Sequence, residues 1–262
     1  MIIDTHCHLD DERYYEDLDE VIKRAEAHNV KAFLIPGADI KDLQHAREIS
    51  HQYPNIFYAA GVHPDCIDGY DETVLRTFLE DERCIAVGEC GLDYFRLPED
   101  DAQKALIKQK QKEIFAKQIQ LAKELNKPLI IHIRDANDDS RHVLEENDAG
   151  KVGGVLHCYN ASKHLLPLHK LGFYFGIGGV LTFKNAKNLV AIVPEIPKER
   201  LLIETDAPYL TPHPYRGKRN EPAYTELVVE KLSQTLNLSV REIEDLTTHN
   251  AARLFKAFSS LI

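Results

Sequence analysis

A barrel of eight parallel strands alternating with helices is the fold this sequence predicts, and three observations carry that prediction. Short apolar runs alternate with longer amphipathic stretches along the whole chain, the pattern of parallel β-sheet with crossover helices. About eight such units in 262 residues match the size of one (β/α)8 barrel. His, Asp and Glu recur just past the ends of the runs, where such a barrel opens onto its active face. A doubly wound open sheet is the alternative. No low-complexity segment, charged tail or compositional shift divides the chain, so residues 1–262 read as one domain.

The first run, Ile2–Thr5, is too short to be anything but a buried strand. Further strands are expected at Ala32–Pro36, Ile56–Gly61, Ile85–Glu89, Pro128–Ile133, Gly154–His157, Phe173–Gly176 and Leu201–Thr205. Helices are expected near Tyr15–His28, Lys41–Gln52, Asp71–Glu80, Asp101–Asn126, Ser140–Asp148, Ser162–Leu171, Asn185–Val193, Pro222–Leu236 and Ser239–Phe258. The last of these opens with Ser239-Val240-Arg241-Glu242, the pattern of a capping box.

Composition excludes several classes. A hydrophobic fraction of 44% supplies a sizeable core, while a mean hydropathy of −0.34 and no long apolar run exclude a transmembrane helix. No basic segment precedes the first apolar run, so no secretory signal is read. Five Cys without paired spacing fit free thiols in a reducing, cytoplasmic compartment. With net charge −10 and pI near 5.7, the chain lacks the charge for a broad basic nucleic-acid face. Any grip on nucleic acid must be local. No membrane or obligate protein partner is evident.

The candidate site begins at His6-Cys7-His8, just past the first run. Strand alternation puts His6 and His8 on one side of the backbone. Glu89 closes the fourth run, His132 the fifth, His157 the sixth, and Glu204 and Asp206 the eighth. Helix capping explains an Asp at a strand end. It does not explain His6, His8, His132 and His157. Four imidazoles and two carboxylates exceed one tetrahedral zinc and match two divalent metals sharing a carboxylate. Glu89 is the expected bridge, between Gly88 and Gly91 where backbones can approach closely. His6, His8 and Asp206 then hold one ion, and His132 and His157 the other. One or two ions per subunit are expected, and Mg, Mn, Zn or Ni suits such donors. Asp206 is also placed to take a proton from attacking water.

Around this core the readings stay open. Glu204 either orients a ligand from behind or sits in a buried polar pair. His63, in Gly61-Val62-His63-Pro64, is a rim residue or contacts substrate and helps protonate a leaving group. Arg134 binds an anionic substrate or pairs with Asp93 or Asp135. Arg216, Lys218 and Arg219, around Gly217, form a phosphate grip or a solvated basic loop. Tyr94, Phe95 and Tyr159 stack on bases or pack. Cys7, Cys90 and Cys158 each adjoin a proposed ligand and are expected to face the other way, as small packing residues.

Asp4-Thr5-His6-Cys7-His8-Leu9-Asp10, Gly61-Val62-His63-Pro64, Gly88-Glu89-Cys90-Gly91-Leu92-Asp93-Tyr94 and Ile131-His132-Ile133-Arg134-Asp135-Ala136 resemble the TatD family of metal-dependent deoxyribonucleases. So do Leu156-His157-Cys158, Leu202–Leu210 and Pro214–Pro222, in order along essentially the whole chain. The resemblance implies an amidohydrolase-like, distorted TIM barrel. It implies that His6, His8, Glu89, His132, His157 and Asp206 match the family's metal ligands, with Glu where many amidohydrolase relatives use a carboxylated Lys. It implies a hydrolase acting on DNA ends or short oligonucleotides, 3′-to-5′ on single strands in some members. Tyr159-Asn160-Ala161-Ser162 and Gly176-Ile177-Gly178-Gly179 depart from the family's usual turns, which bears on substrate rather than metal. An amidohydrolase acting on an ester, lactone or amide is the alternative enzyme, since the same metal pair polarises a carbonyl. A scaffold with a structural metal is the alternative outside enzymes, and the open ligand set argues against it.

Overall fold

The computed structural model describes residues 1–262. Eight strands, β1 (Ile2–Asp4), β2 (Val30–Ile35), β3 (Ile56–Ala60), β4 (Cys84–Asp93), β5 (Leu129–Arg134), β6 (Gly154–Leu156), β7 (Phe173–Ile177) and β8 (Leu201–Ile203), form one sheet in sequence order. Every neighbouring pair is parallel. The seam between β8 and β1 is joined just past the strands. There Thr5 N–H donates to the Ile203 carbonyl at 3.1 Å, Asp206 N–H to that of His6 at 2.9 Å, and Cys7 bridges Ala207. The sheet is thus a (β/α)8 barrel, as the alternation of runs predicted.

Eight α-helices flank it: α1 (Leu18–Ala27), α2 (Leu43–Gln52), α3 (Glu72–Leu79), α4 (Asp101–Leu125), α5 (Asn137–Glu146), α6 (Lys187–Ile192), α7 (Thr225–Leu236) and α8 (Val240–Leu254). The capping box forms: Ser239 N–H donates to Glu242 Oε2 at 2.8 Å, and Glu242 N–H to Ser239 Oγ at 3.2 Å. The helix expected at Ser162–Leu171 is instead a 3-10 segment, Leu166–Leu171. Pro167 would fall inside the longer helix, where it lacks an N–H and its ring opposes the carbonyl four residues back.

Two apolar layers place the functional face. Between strands and helices lies the larger core, including Phe33, Ile35, Phe115, Phe173 and Phe175. A second cluster takes at least one residue from every strand: Ile3, Ala32, Leu34, Phe57, Ala59, Ala86, Ile130, Val155, Tyr174 and Leu202. Strand alternation makes this the barrel interior. Phe255 and Phe258, beyond the end of α8, close it from the N-terminal side of the strands, and Phe258 meets Phe57 edge-to-face at 5.3 Å. The C-terminal mouth is left to polar residues. No helix is long and apolar enough to cross a membrane.

Candidate metal centre

The first and last ligand-bearing segments are held together by a buried carboxylate. Asp4 Oδ1 accepts from His6 N–H at 3.2 Å and Thr205 N–H at 3.0 Å, and its Oδ2 accepts from the Thr205 hydroxyl at 2.5 Å. Burial pushes its carboxyl up to about 7, against those donors. Cys7 N–H donates to the Leu34 carbonyl and His8 N–H to that of Ala207, which fixes the His6-Cys7-His8 backbone against both neighbouring strands.

Glu89 is the centre of the constellation, and its two oxygens face different partners. Oε2 lies 3.4 Å from His6 Nε2 and 3.9 Å from His8 Nε2. Oε1 lies 3.0 Å from His132 Nδ1, 3.0 Å from His157 Nε2 and 3.7 Å from His63 Nε2. Asp206 Oδ1 sits 3.5 Å from His6 Nε2 and 3.4 Å from His8 Nε2. The His6 and His157 rings stack, centroids 3.8 Å apart. Gly91 makes this approach possible. Its φ is +142°, and a Cβ there would lie 2.0 Å from the His132 carbonyl oxygen.

These residues fit a divalent cation on their own chemistry. Both ring nitrogens of His6 are buried without a hydrogen-bond partner. An unsatisfied buried polar atom costs about 1–3 kcal/mol, and an imidazole lone pair facing carboxylate oxygens is what a divalent cation satisfies. The electrostatics agree. Burial alone would lower His8, His132 and His157; the carboxylates around them reverse this and hold all three above the ordinary range, His8 at about 9. Burial would raise Glu89, and His157, His6 and His132 instead keep it well below the usual carboxylate range. The carboxylates thus favour positive charge at His8, His132 and His157, while burial and the neighbouring His157 push His6 below the ordinary range. The sets His6–His8–Asp206 and His6–Glu89–His157 each bring one ligand atom per residue within 4.8 Å of one another.

A carboxylate stands behind each of two imidazoles. Asp93 Oδ2 lies 3.0 Å from His132 Nε2, so an Nε2–H donating to it leaves the Nδ1 lone pair turned to the centre. Sequence reading named Asp93 only as a partner for Arg134. Glu204 Oε1 lies 3.4 Å from His157 Nδ1 and also accepts from Cys158 N–H. Gly176 leaves it room, since a Cβ there would fall 2.1 Å from Glu204 Oε2. The carboxylate lies behind the imidazole, whose Nδ1 makes no hydrogen bond at this distance. His63 Nδ1 accepts from Asp65 N–H at 3.0 Å, which puts its proton on Nε2, pointed at Glu89. Burial pushes His63 down to about 4, so it is a neutral hydrogen-bond donor near pH 7.

A cleft of about 470 Å³ opens beside the centre, lined by His132, Arg134, His157, Cys158, Asp206 and Tyr209 among others. Of the four cations expected to grip phosphate, Arg134 alone lines it, stacked 3.6 Å from the Phe95 ring centroid. Arg216, Lys218 and Arg219 do not line this cleft. Arg219 is paired with Asp17 at 2.7 Å and Glu221 at 2.9 Å. Arg216 donates to the Thr211 carbonyl and stacks on Phe183, and Lys218 lies over Tyr215. Cys158 also departs from expectation. β6 ends at Leu156, the alternation stops there, and Cys158 adopts a φ of +44° that brings it to the cleft. Tyr94 and Tyr159 are packed, their hydroxyls on Asp139 and the Ser162 carbonyl; Phe95 is exposed.

Two buried glutamines on α4 were not singled out in the sequence. Gln118 accepts from Val62 N–H at 2.8 Å and donates to the Val62 carbonyl at 3.0 Å. Gln111 does the same for Asp93, at 3.0 Å in both directions. Each amide pairs with a strand-end peptide as a neighbouring strand would, beside His63 and behind His132. The seven-residue spacing that puts both on one helix face was the available signal. Gln118→Leu leaves both polar groups of Val62 unpaired, so a loss of about 2–4 kcal/mol is expected in urea unfolding. Unfolding at the wild-type midpoint would show the strut to be dispensable.

A family model described as TatD related DNase matches residues 3–256. The uncharacterized metal-dependent hydrolase YabD of Bacillus subtilis (strain 168) is 45% identical over 260 residues, covering 98% of this chain and 99% of its own length. The 3′-5′ ssDNA/RNA exonuclease TatD of Escherichia fergusonii is 32% identical over 266 residues, with 97% and 98% covered. The crystal structure of YJJV, a TatD homolog from Escherichia coli K12, superposes with a TM-score of 0.89 at 27% identity, covering 97% of this chain and 98% of that one.

Proposed function

The chain belongs to the TatD-related DNase family and is a metal-dependent hydrolase, and from this premise we propose that it removes nucleotides from the 3′ ends of single-stranded DNA. The observation that carries the reading is the split of Glu89, one oxygen toward His6 and His8 and the other toward His132 and His157. A relative at 32% identity bears the name of a 3′-5′ ssDNA/RNA exonuclease, which supports the substrate class and polarity.

In this reading His6, His8 and Asp206 would hold one divalent ion and His132 and His157 the other, with Glu89 offering an oxygen to each side. Such ions supply Lewis-acid polarisation of the scissile phosphate and ease the ionisation of water. Asp206, kept ionised near neutral pH because His8, His157 and His6 outweigh its burial, accepts the proton of the attacking water. As the water oxygen bonds to phosphorus, the bond to the 3′ oxygen of the preceding nucleotide breaks and that oxygen takes a proton from solvent, while His63 Nε2–H hydrogen-bonds an oxygen of the reacting phosphate. Arg134 holds a neighbouring phosphate at the cleft wall. Asp93 and Glu204 keep His132 and His157 turned to the centre.

The test uses metal-stripped protein, single-stranded DNA labelled at either end, and Mg, Mn or Zn supplied in turn. Loss of nucleotides from the 3′ end, restored by metal and abolished by chelator, is expected. Cleavage from the 5′ end would overturn the polarity. No cleavage by folded, metal-loaded protein would overturn the nuclease reading and favour a carbonyl substrate.

A further inference from the structure

Two exposed aromatic rings stand at the mouth of the barrel, and each carries an arginine on one face. Tyr209, just past β8, lines the cleft and is 47% exposed. Its ring meets that of His8 edge-to-face at 5.9 Å. The Arg13 guanidinium lies 4.4 Å from its centroid, and Arg13 is fixed by two bonds of 2.7 Å to Asp11. The Tyr209 backbone is pinned as well. Its N–H donates to the Asp206 carbonyl at 2.8 Å, and its carbonyl accepts from Asn220 Nδ2 at 2.6 Å. Phe95, just past β4, is 55% exposed beneath Arg134.

Neither ring contributes to the core; Tyr209 lines the cleft against His8, and Phe95 stands behind the cleft-lining Arg134. A fixed ring with one face covered by a guanidinium presents its remaining surface to another flat, electron-rich partner. In an acidic chain, Arg134, which has no carboxylate within ion-pair distance, also puts positive charge beside the cleft, while the charge of Arg13 is balanced by Asp11.

We propose that Tyr209, backed by Arg13, is the stacking platform for the nucleobase at the scissile 3′ end, and that Phe95 with Arg134 receives the next base on the other rim. The proposal rests on the nuclease reading and extends it. Stacking reads the π-face common to all bases, so turnover is nearly independent of sequence. Paired bases are already stacked on their neighbours, so the two platforms select single strands.

The experiment measures KM and kcat of the metal-loaded enzyme on a single-stranded oligonucleotide and on one whose 3′-terminal nucleotide lacks its base. Tyr209→Leu is expected to raise KM about 5- to 100-fold on the complete strand and to leave the abasic strand unchanged. Tyr209→Phe, which keeps the ring, is expected to stay near wild type on both. Phe95→Leu is expected to act when the penultimate base is present and not when it is removed. An equal loss on complete and abasic strands for Tyr209→Leu overturns the platform and leaves the nuclease reading standing. Failure of the wild-type enzyme to cleave either strand overturns both.

Discussion

Asp206→Asn is expected to lower turnover on single-stranded DNA about 10²- to 10⁴-fold while the circular dichroism spectrum and melting cooperativity stay those of the wild type. Removal of a positioned proton acceptor costs about 10²–10⁴ in rate. Asparagine keeps the shape and one oxygen toward His6 and His8, now 3.5 and 3.4 Å from Asp206 Oδ1, so the local packing survives. It cannot take a proton, and it removes one negative charge from the centre. Metal analysis of the purified variant separates these two effects. Unchanged metal content with lost turnover assigns the loss to proton transfer, and a lost ion assigns it to ligation. Wild-type turnover would remove Asp206 from both roles.

Glu89→Gln is expected to act on both halves of the centre at once. Its two oxygens serve opposite pairs of imidazoles, and an amide offers one oxygen and one NH2. Whichever way the amide turns, one pair faces a donor where it had an acceptor, and both lose the negative charge. Changes to residues that only orient ligands typically weaken metal binding 10–100-fold. Loss of the shared carboxylate is expected to exceed that, with fewer bound ions per chain by elemental analysis and turnover near background. Retention of the full metal complement at wild-type affinity would show that Glu89 bridges nothing. Asp93→Ala, which among the imidazoles touches only His132 and otherwise loses a bond from Phe95 N–H, is the natural comparison.

The alternation of runs and the polar residues at their ends were legible because each is local. A strand announces itself in a few apolar residues, and His6, His132 and His157 lie just beyond or within such runs. The fate of the Arg216–Arg219 loop was not legible. Arg219 pairs with Asp17, 202 residues away in sequence, and a cation looks the same whether it meets a carboxylate or a phosphate. Cys158 misled because alternation holds only while the strand continues, and β6 is three residues long. Gln111 and Gln118 were passed over because a buried amide on a helix reads as an ordinary polar position until its backbone partners are known. Asp93 was visible as a residue but not as the partner of His132, a pairing set by the register of β4 against β5.

The bond from Asp4 to Thr205 spans 201 positions of the chain. A polypeptide emerging from the ribosome exposes His6 and His8 first and Asp206 last, so the centre cannot be assembled until the eighth strand has been made and docked. If the proposed nuclease activity holds, a chain made among nucleic acids lacks the residues to attack them for most of its synthesis. On that reading a product truncated before the last strand is expected to be catalytically silent rather than partly active.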